Sequence, residues 1–137
     1  MGSVHRSVAT LRFIGDDLDP DEVTALLHSP PTQAYRKDEQ IIGSNGRMRI
    51  ASTGSWRLHA TDSKPEDLNA QIAEILGRLT PDLHIWTHLS SRYRLDLFCG
   101  LFLNSPNEGL CLSPQSLRAL GERGIELGLD IYSGAND

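Results

Sequence analysis

The chain has 137 residues, 39% of them hydrophobic and 23% charged, with a net charge of −5. This length and balance predict one domain, residues 1–137, able to bury a core without metal or disulfide staples, and they exclude a disordered chain. The acidic balance offers no overall attraction to nucleic acid or to an anionic membrane, so neither is expected as a partner.

Val8 to Ile14 alternates as a half-buried strand, with Ala9, Leu11 and Phe13 on one face and Thr10 and Arg12 on the other. Gly15-Asp16-Asp17 turns it into a first helix. Leu18-Asp19-Pro20 then supplies an apolar N′ residue, an N-cap and proline at N1, so that Leu18 staples Val23 and Glu22 completes a capping box. Val23, Leu26 and Leu27 form its buried stripe, and Pro30-Pro31 stops it. Between Thr32 and Ala60 the pattern predicts strands: one ending near Ile42, a Gly43-Ser44-Asn45-Gly46 turn, a return through Arg47 to Ala51, and a segment from Trp56 to His59.

Leu68, Ile72, Ile75, Leu76 and Leu79 follow helical spacing, with Ser63 and Glu66 as a capping box before them and Pro81 as the stop. From there the alternation predicts a strand over His84 to Leu89. A second strand runs from Tyr93 to Leu103, with Phe98, Gly100 and Phe102 on a partly covered second face. After a loop over Asn104 to Gly109 come a short strand through Leu110 to Leu112, a helix from Pro114 to about Arg123 and a strand from Ile125 to Tyr132. Ser113 caps that helix, Leu112 staples Leu117, and Gly124 closes it. The last strand reads as antiparallel and half-buried. The fold class expected is α+β: a mostly antiparallel sheet with three helices packed mainly on one face, ferredoxin-like or tandem ferredoxin-like.

No apolar run approaches the roughly 20 residues that span a bilayer, and Met1 to Thr10 lacks the apolar stretch of a signal peptide, so a cytoplasmic setting is expected. Gly2 is not a myristoylation site, because Arg6 stands where that motif needs Ser or Thr. A Cys99–Cys111 disulfide is not expected, since a hairpin turning near Asn107 leaves the two out of register.

Four groups of residues carry candidate chemistry. Asp17, Asp19 and Asp21 copy the opening spacing of a calcium loop, but Glu22 stands where that loop needs glycine and His28 where it needs a bidentate glutamate; capping and helix-dipole roles account for them better. His84 and His88 with Cys99 and Cys111 suggest zinc, but on a strand the two imidazoles stand about 13 Å apart, too far to share one ion. Cys99, Cys111, Ser55, Ser90 and Ser91 lack the sequence context of a nucleophile, and Cys99 falls on an aliphatic face. The arginines of the middle strands are the strongest hint. Arg36, Lys37, Arg47, Arg49 and Arg57, with Arg92 and Arg94 further on, can line a sheet face, with Trp56 and Tyr35 as stacking surfaces for a phosphate, a carboxylate or an acidic partner.

Leu11 through Val23 at the start, Trp56-Arg57-Leu58 in the middle, and Leu112-Ser113-Pro114 through Gly124-Ile125 to Asp130-Ile131-Tyr132 at the end share an order and spacing with a known family. In these segments the chain resembles the bacterial family called domain of unknown function 4279, over nearly its whole length. The resemblance implies a small, stand-alone, mostly bacterial domain, with no established activity and no catalytic residues to carry over.

Together these features predict a non-catalytic cytoplasmic binding or regulatory domain that recognises an acidic protein or small anion through Arg47, Arg49, Trp56 and Arg57, needing no cofactor. A toxin-immunity protein is one alternative. Another is a small hydrolase or transferase with a pocket near Asp16, Asp17 or His59. The open edges of the sheet make a homodimer plausible.

Overall fold

The computed structural model describes residues 2–133. In chain order its elements are β1 (Gly2–Ser3), β2 (Arg6–Gly15), α1 (Pro20–Leu27), β3 (Gln33–Tyr35), β4 (Gln40–Ile42), β5 (Met48–Ile50), β6 (Gly54–His59), α2 (Leu68–Gly77), α3 (Leu83–Arg92), β7 (Arg94–Phe102), β8 (Glu108–Gly109), α4 (Pro114–Gly121) and β9 (Glu126–Tyr132). The main sheet has five strands in the order β3-β6-β2-β7-β9, while β4 pairs with β5 as a separate arm and β1 with β8 as a short ladder.

The α+β class holds, with two corrections. The sheet is mixed: β2 runs antiparallel to both β6 and β7, but β9 lies parallel to β7. The reason is the connection, because α4 carries the chain back across the sheet before β9 begins, as a parallel neighbour requires. That crossover joins adjacent strands, whereas a ferredoxin-like split leaves a strand between them. The described residues also hold four helices, not three. The extra one, α3, covers the segment expected as a strand over His84 to Leu89. Asp82 caps it, its carboxylate accepting from the His84 N–H at 3.0 Å, and Trp86 and Leu89 fall on one face at helical spacing. Leu110 to Leu112 likewise form no strand.

The helix starts follow local capping rules. Asp19 accepts from the Asp21 N–H and Ser113 from the Ser116 N–H, each with proline in the first turn. At the first start Leu18 and Val23 are both buried in the core; at the second Leu117 is 52% exposed, so no buried staple forms there. Glu22 does not close a capping box but reaches Arg92 at 2.8 Å. The cap of α2 is Asp67, which accepts from Ala70 N–H; Ser63 instead pairs across to Ser7. Gly124 has a φ of 72°, the left-handed backbone that favours glycine after a helix end.

All four helices bury their apolar faces against the same side of the sheet. Strand alternation sends Ala9, Leu11 and Phe13 of β2, Trp56 and Leu58 of β6, and Leu95, Leu97, Cys99 and Leu101 of β7 into that core. Phe13 meets Trp56 edge-on at 5.3 Å and Trp86 at 5.8 Å, an aromatic centre between sheet and helices. Gln71 of α2, 2% exposed, is buried but satisfied: its amide donates to the Ser7 and Thr61 carbonyls and its oxygen accepts from the Ser7 hydroxyl. No helix of the described residues is long and apolar enough to cross a membrane.

Candidate functional site

With every helix on one side, the other face of the sheet is left open, and strand register lays its side chains out in rows. Arg6, Phe102 and Tyr132 form one row; Val8, Gly100 and Asp130 the next; His59, Thr10, Phe98 and Gly128 the third; and Arg57, Arg12, Asp96 and Glu126 the fourth. A shallow basin of about 390 Å³ lies across these rows, lined by the three arginines Arg6, Arg12 and Arg57, by Val8, Thr10 and Gly100, and by Phe98, Phe102 and Tyr132.

One wall of the basin is a stack. Phe102 and Tyr132 lie 4.7 Å apart and nearly parallel, and the Arg6 guanidinium sits 4.6 Å from the Phe102 ring on its other side. Those spacings match the roughly 4.8 Å between neighbouring strands, so the plates stand upright off the sheet. Gly100 makes room for them, since a Cβ there would come within 3.2 Å of the Phe102 ring. Arg6 also holds Asp62 at 2.7 Å, and the Tyr132 hydroxyl donates to Asp130, which pushes the Tyr132 pKa up.

Charge is concentrated on the opposite wall. Arg12 grips Asp96 with both arms of its fork, Nε to Oδ1 at 2.8 Å and Nη2 to Oδ2 at 2.7 Å, and its guanidinium lies 4.6 Å from the Phe98 ring. Asp96 is only 3% exposed beneath it. The hydrogen bond to Asp96 raises the Arg12 pKa despite partial desolvation. Arg94 approaches Asp96 at 3.8 Å and Glu126 at 3.5 Å. Arg57, directly opposite Arg12 on β6, donates its Nε–H to the Ser55 hydroxyl at 3.0 Å and makes no ion pair with any described residue. His59 Nδ1 and Thr10 Oγ1 are 2.8 Å apart.

The structure brings only Arg57 of the four expected binding residues to this face. Trp56 is fully buried on the helix side, opposite Phe13, and donates its indole N–H to Thr24 Oγ1 at 3.1 Å, so it is no stacking surface. Arg49 lies on the separate β4–β5 arm, 5.7 Å from the Tyr35 ring, and Arg47 precedes that arm's second strand. Three further cations of the expected basic group are already paired: Arg36 bridges Asp19 and Asp21, Lys37 approaches Asp16 at 3.6 Å, and Arg92, at the end of α3, meets Glu22. The acidic run at the start of α1 thus answers a basic cluster within the same chain. Desolvation pushes the Asp19 pKa up, but the Asp21 and Glu22 N–H groups and Arg36 together outweigh this and lower it.

The other candidates separate in space. Asp16 lies in the turn beyond the far end of β2, whose last residue, Gly15, stands five positions on from Thr10 in the row that holds His59, so the acidic and histidine candidates lie apart. His84 and His88 fall on α3, not on a strand, one turn apart; His88 Nε2 lies 3.1 Å from an Arg92 nitrogen, and no group of three or more His, Cys, Asp or Glu among the described residues is arranged for a metal. Cys99 is buried, which pushes its thiol up to about 12, and Cys111 is exposed; both are free. Ser90 and Ser91 donate back to helix carbonyls.

Sequence reasoning missed Arg6, Asp96, Phe98, Phe102 and Tyr132 as one constellation, and Arg12 as its centre. Parity was the available signal, since Thr10 and Arg12 alternate with the apolar face of β2, and Phe98 and Phe102 with that of β7. A model of the family described as Domain of unknown function (DUF4279) matches residues 4–134. No curated protein and no solved structure matches the chain.

Proposed function

The chain belongs to the Domain of unknown function (DUF4279) family, and from that premise we propose that it is a non-catalytic binding domain whose open sheet face takes a small anion between Arg12 and Arg57. The observation that carries this reading is a charge mismatch. Arg12 and Arg57 stand directly opposite each other on neighbouring strands, where like charges destabilise the pair, and Asp96, the buried carboxylate beside them, is committed to Arg12. A carboxylate or phosphate seated against Arg57 relieves that repulsion and meets a planar fork built for bidentate recognition. Asp62, Glu126 and Asp130 around the rim favour a compact anion over an extended acidic protein, which they would repel. The two free cysteines suit a reducing bacterial cytoplasm as the setting.

The test is a titration with inorganic phosphate and with acetate, followed through the arginine Nε–H signals in ¹H–¹⁵N spectra. Saturable shifts at Arg57 and Arg12, weakened by salt and lost in Arg57→Gln, are expected. Signals that stay still at millimolar anion, or shift equally in Arg57→Gln, would overturn the reading.

A further inference from the structure

The two edges of the main sheet are built differently. At one end β3 is only three residues long and follows Pro30-Pro31, a short edge of the kind that resists pairing with another chain. At the other end β9 runs seven residues, contains neither proline nor lysine, and among the described residues pairs with β7 alone. It also leaves apolar surface in water: Leu129 is 47% and Ile131 58% exposed on its helix side, and α4, which packs on it, exposes Leu117. A long, unpaired edge with an apolar stripe on one face is a template for a further strand.

We propose that the strand it accepts is β9 of a second copy, running antiparallel about a twofold axis at Leu129. Backbone direction sets the first condition. The Tyr132 carbonyl accepts from the Leu103 N–H, so it points toward β7; because successive residues alternate, the N–H and C=O groups of Leu127, Leu129 and Ile131 point to the free edge. Any partner must therefore bond to these three odd-numbered residues.

Charge then selects the register. Centring the axis on Gly128 sets Glu126 opposite Asp130 of the other copy, twice, and centring it on Asp130 sets that carboxylate opposite itself; like charges directly across a ladder destabilise it. Centring it on Leu129 avoids both. Leu129 then faces Leu129, Leu127 faces Ile131, Gly128 faces Asp130 and Glu126 faces Tyr132. The odd-numbered residues exchange their outward hydrogen bonds, and their apolar side chains form one continuous stripe on the helix side. The interface is self-complementary, as a twofold contact requires. It would join two five-stranded sheets into one, with both basins on the same face and Tyr132 of each beside Glu126 of the other.

The β4–β5 arm is the rival occupant of this edge, since Ile42, Met48 and Ile50 are exposed on one of its faces, with Arg49 on the other. Sedimentation of the full chain over a range of concentrations separates the possibilities. A species of twice the single-chain mass is expected. It should be lost in Leu129→Lys, which sets two cations together at the axis, with circular dichroism unchanged, and retained in Met48→Lys.

Register is read separately in a Cys111→Ser background. A mixture of Glu126→Cys and Tyr132→Cys chains should cross-link on mild oxidation, while neither variant cross-links alone. A single-chain mass at every concentration, a dimer that survives Leu129→Lys, dissociation by Met48→Lys, or failure of the mixture to cross-link would each overturn the proposal.

Discussion

Leu11 and Arg12 are neighbours in the chain and opposites in the fold. Leu11 is fully buried between sheet and helices, whereas one residue later Arg12 stands on the uncovered face with its guanidinium over Phe98. The same division runs through every long strand: Phe13, Trp56 and Leu97 on one side, Arg57, Asp96 and Phe98 on the other. The helix-side face is apolar and its contacts are interchangeable in kind, so it supplies stability. The open face is held together by directed contacts, a bidentate ion pair and two guanidinium–ring stacks, and it retains one cation, Arg57, with no ion-pair partner among the described residues. Stability and the proposed recognition are thus assigned to alternate residues of the same strands.

The largest test of that division is Phe13→Ala, which removes the ring between Trp56 and Trp86. Chemical denaturation should show a loss of about 3 to 5 kcal/mol. A loss under about 1 kcal/mol would mean that the helix side is not the main source of stability.

Arg12→Ala comes next, at about 2 to 3 kcal/mol, because it strands the buried Asp96 carboxylate with only the more distant Arg94 to answer it. Removing both partners, in Arg12→Ala with Asp96→Ala, should cost less than the sum of the single changes.

Third is alkaline stability. Burial holds the Cys99 thiol neutral to about 12, from an ordinary value of 9.0, so its contribution is intact below pH 9 and is lost as pH rises through that interval. Thiol labelling at pH 8 should accordingly modify Cys111 and spare Cys99 until the protein is unfolded. Labelling of both at equal rates would place Cys99 outside the core.

The smallest effect sharpens the comparison most. Arg57→Gln should change stability by no more than about 0.5 kcal/mol, and toward a gain, because it removes a like-charge pair from the ladder. A substantial loss would make Arg57 a structural residue and remove the case for an anion site.

Much of the helix-side half was legible in the sequence. Asp19-Pro20 and Ser113-Pro114 announce their helices locally, and the alternation of Val8 to Ile14 assigns its faces correctly. The segment after Pro81 was not legible in the same way. His84, Trp86 and His88 satisfy a period of two, while Trp86, Leu89 and Tyr93 satisfy the helical period; Asp82, the cap of α3, decides between them. The direction of β9 was equally hidden, because its alternation is the same in a parallel edge strand as in an antiparallel one.

The open face was harder still, since its contacts join distant parts of the chain. Arg12 and Asp96 are 84 positions apart. Trp56 and Arg57 are adjacent and look like one aromatic-basic motif, and only the pairing of Trp56 with Phe13 sends the indole inward and leaves the guanidinium outside.

The parallel seat of β9 bears on how the chain matures as it emerges from the ribosome. β2, β6 and β7 are neighbours whose residues are all synthesised by Phe102, so their antiparallel pairing can form while the rest is still being made. Until α4 has crossed over and β9 has docked, β7 is the outer strand, a leucine-rich ribbon with one side of its backbone unpaired. The stretch from Leu103 to Tyr132 therefore serves the nascent domain as a late-arriving cover. Interrupting translation within it leaves a product that is most of a fold and fully exposed to misassociation.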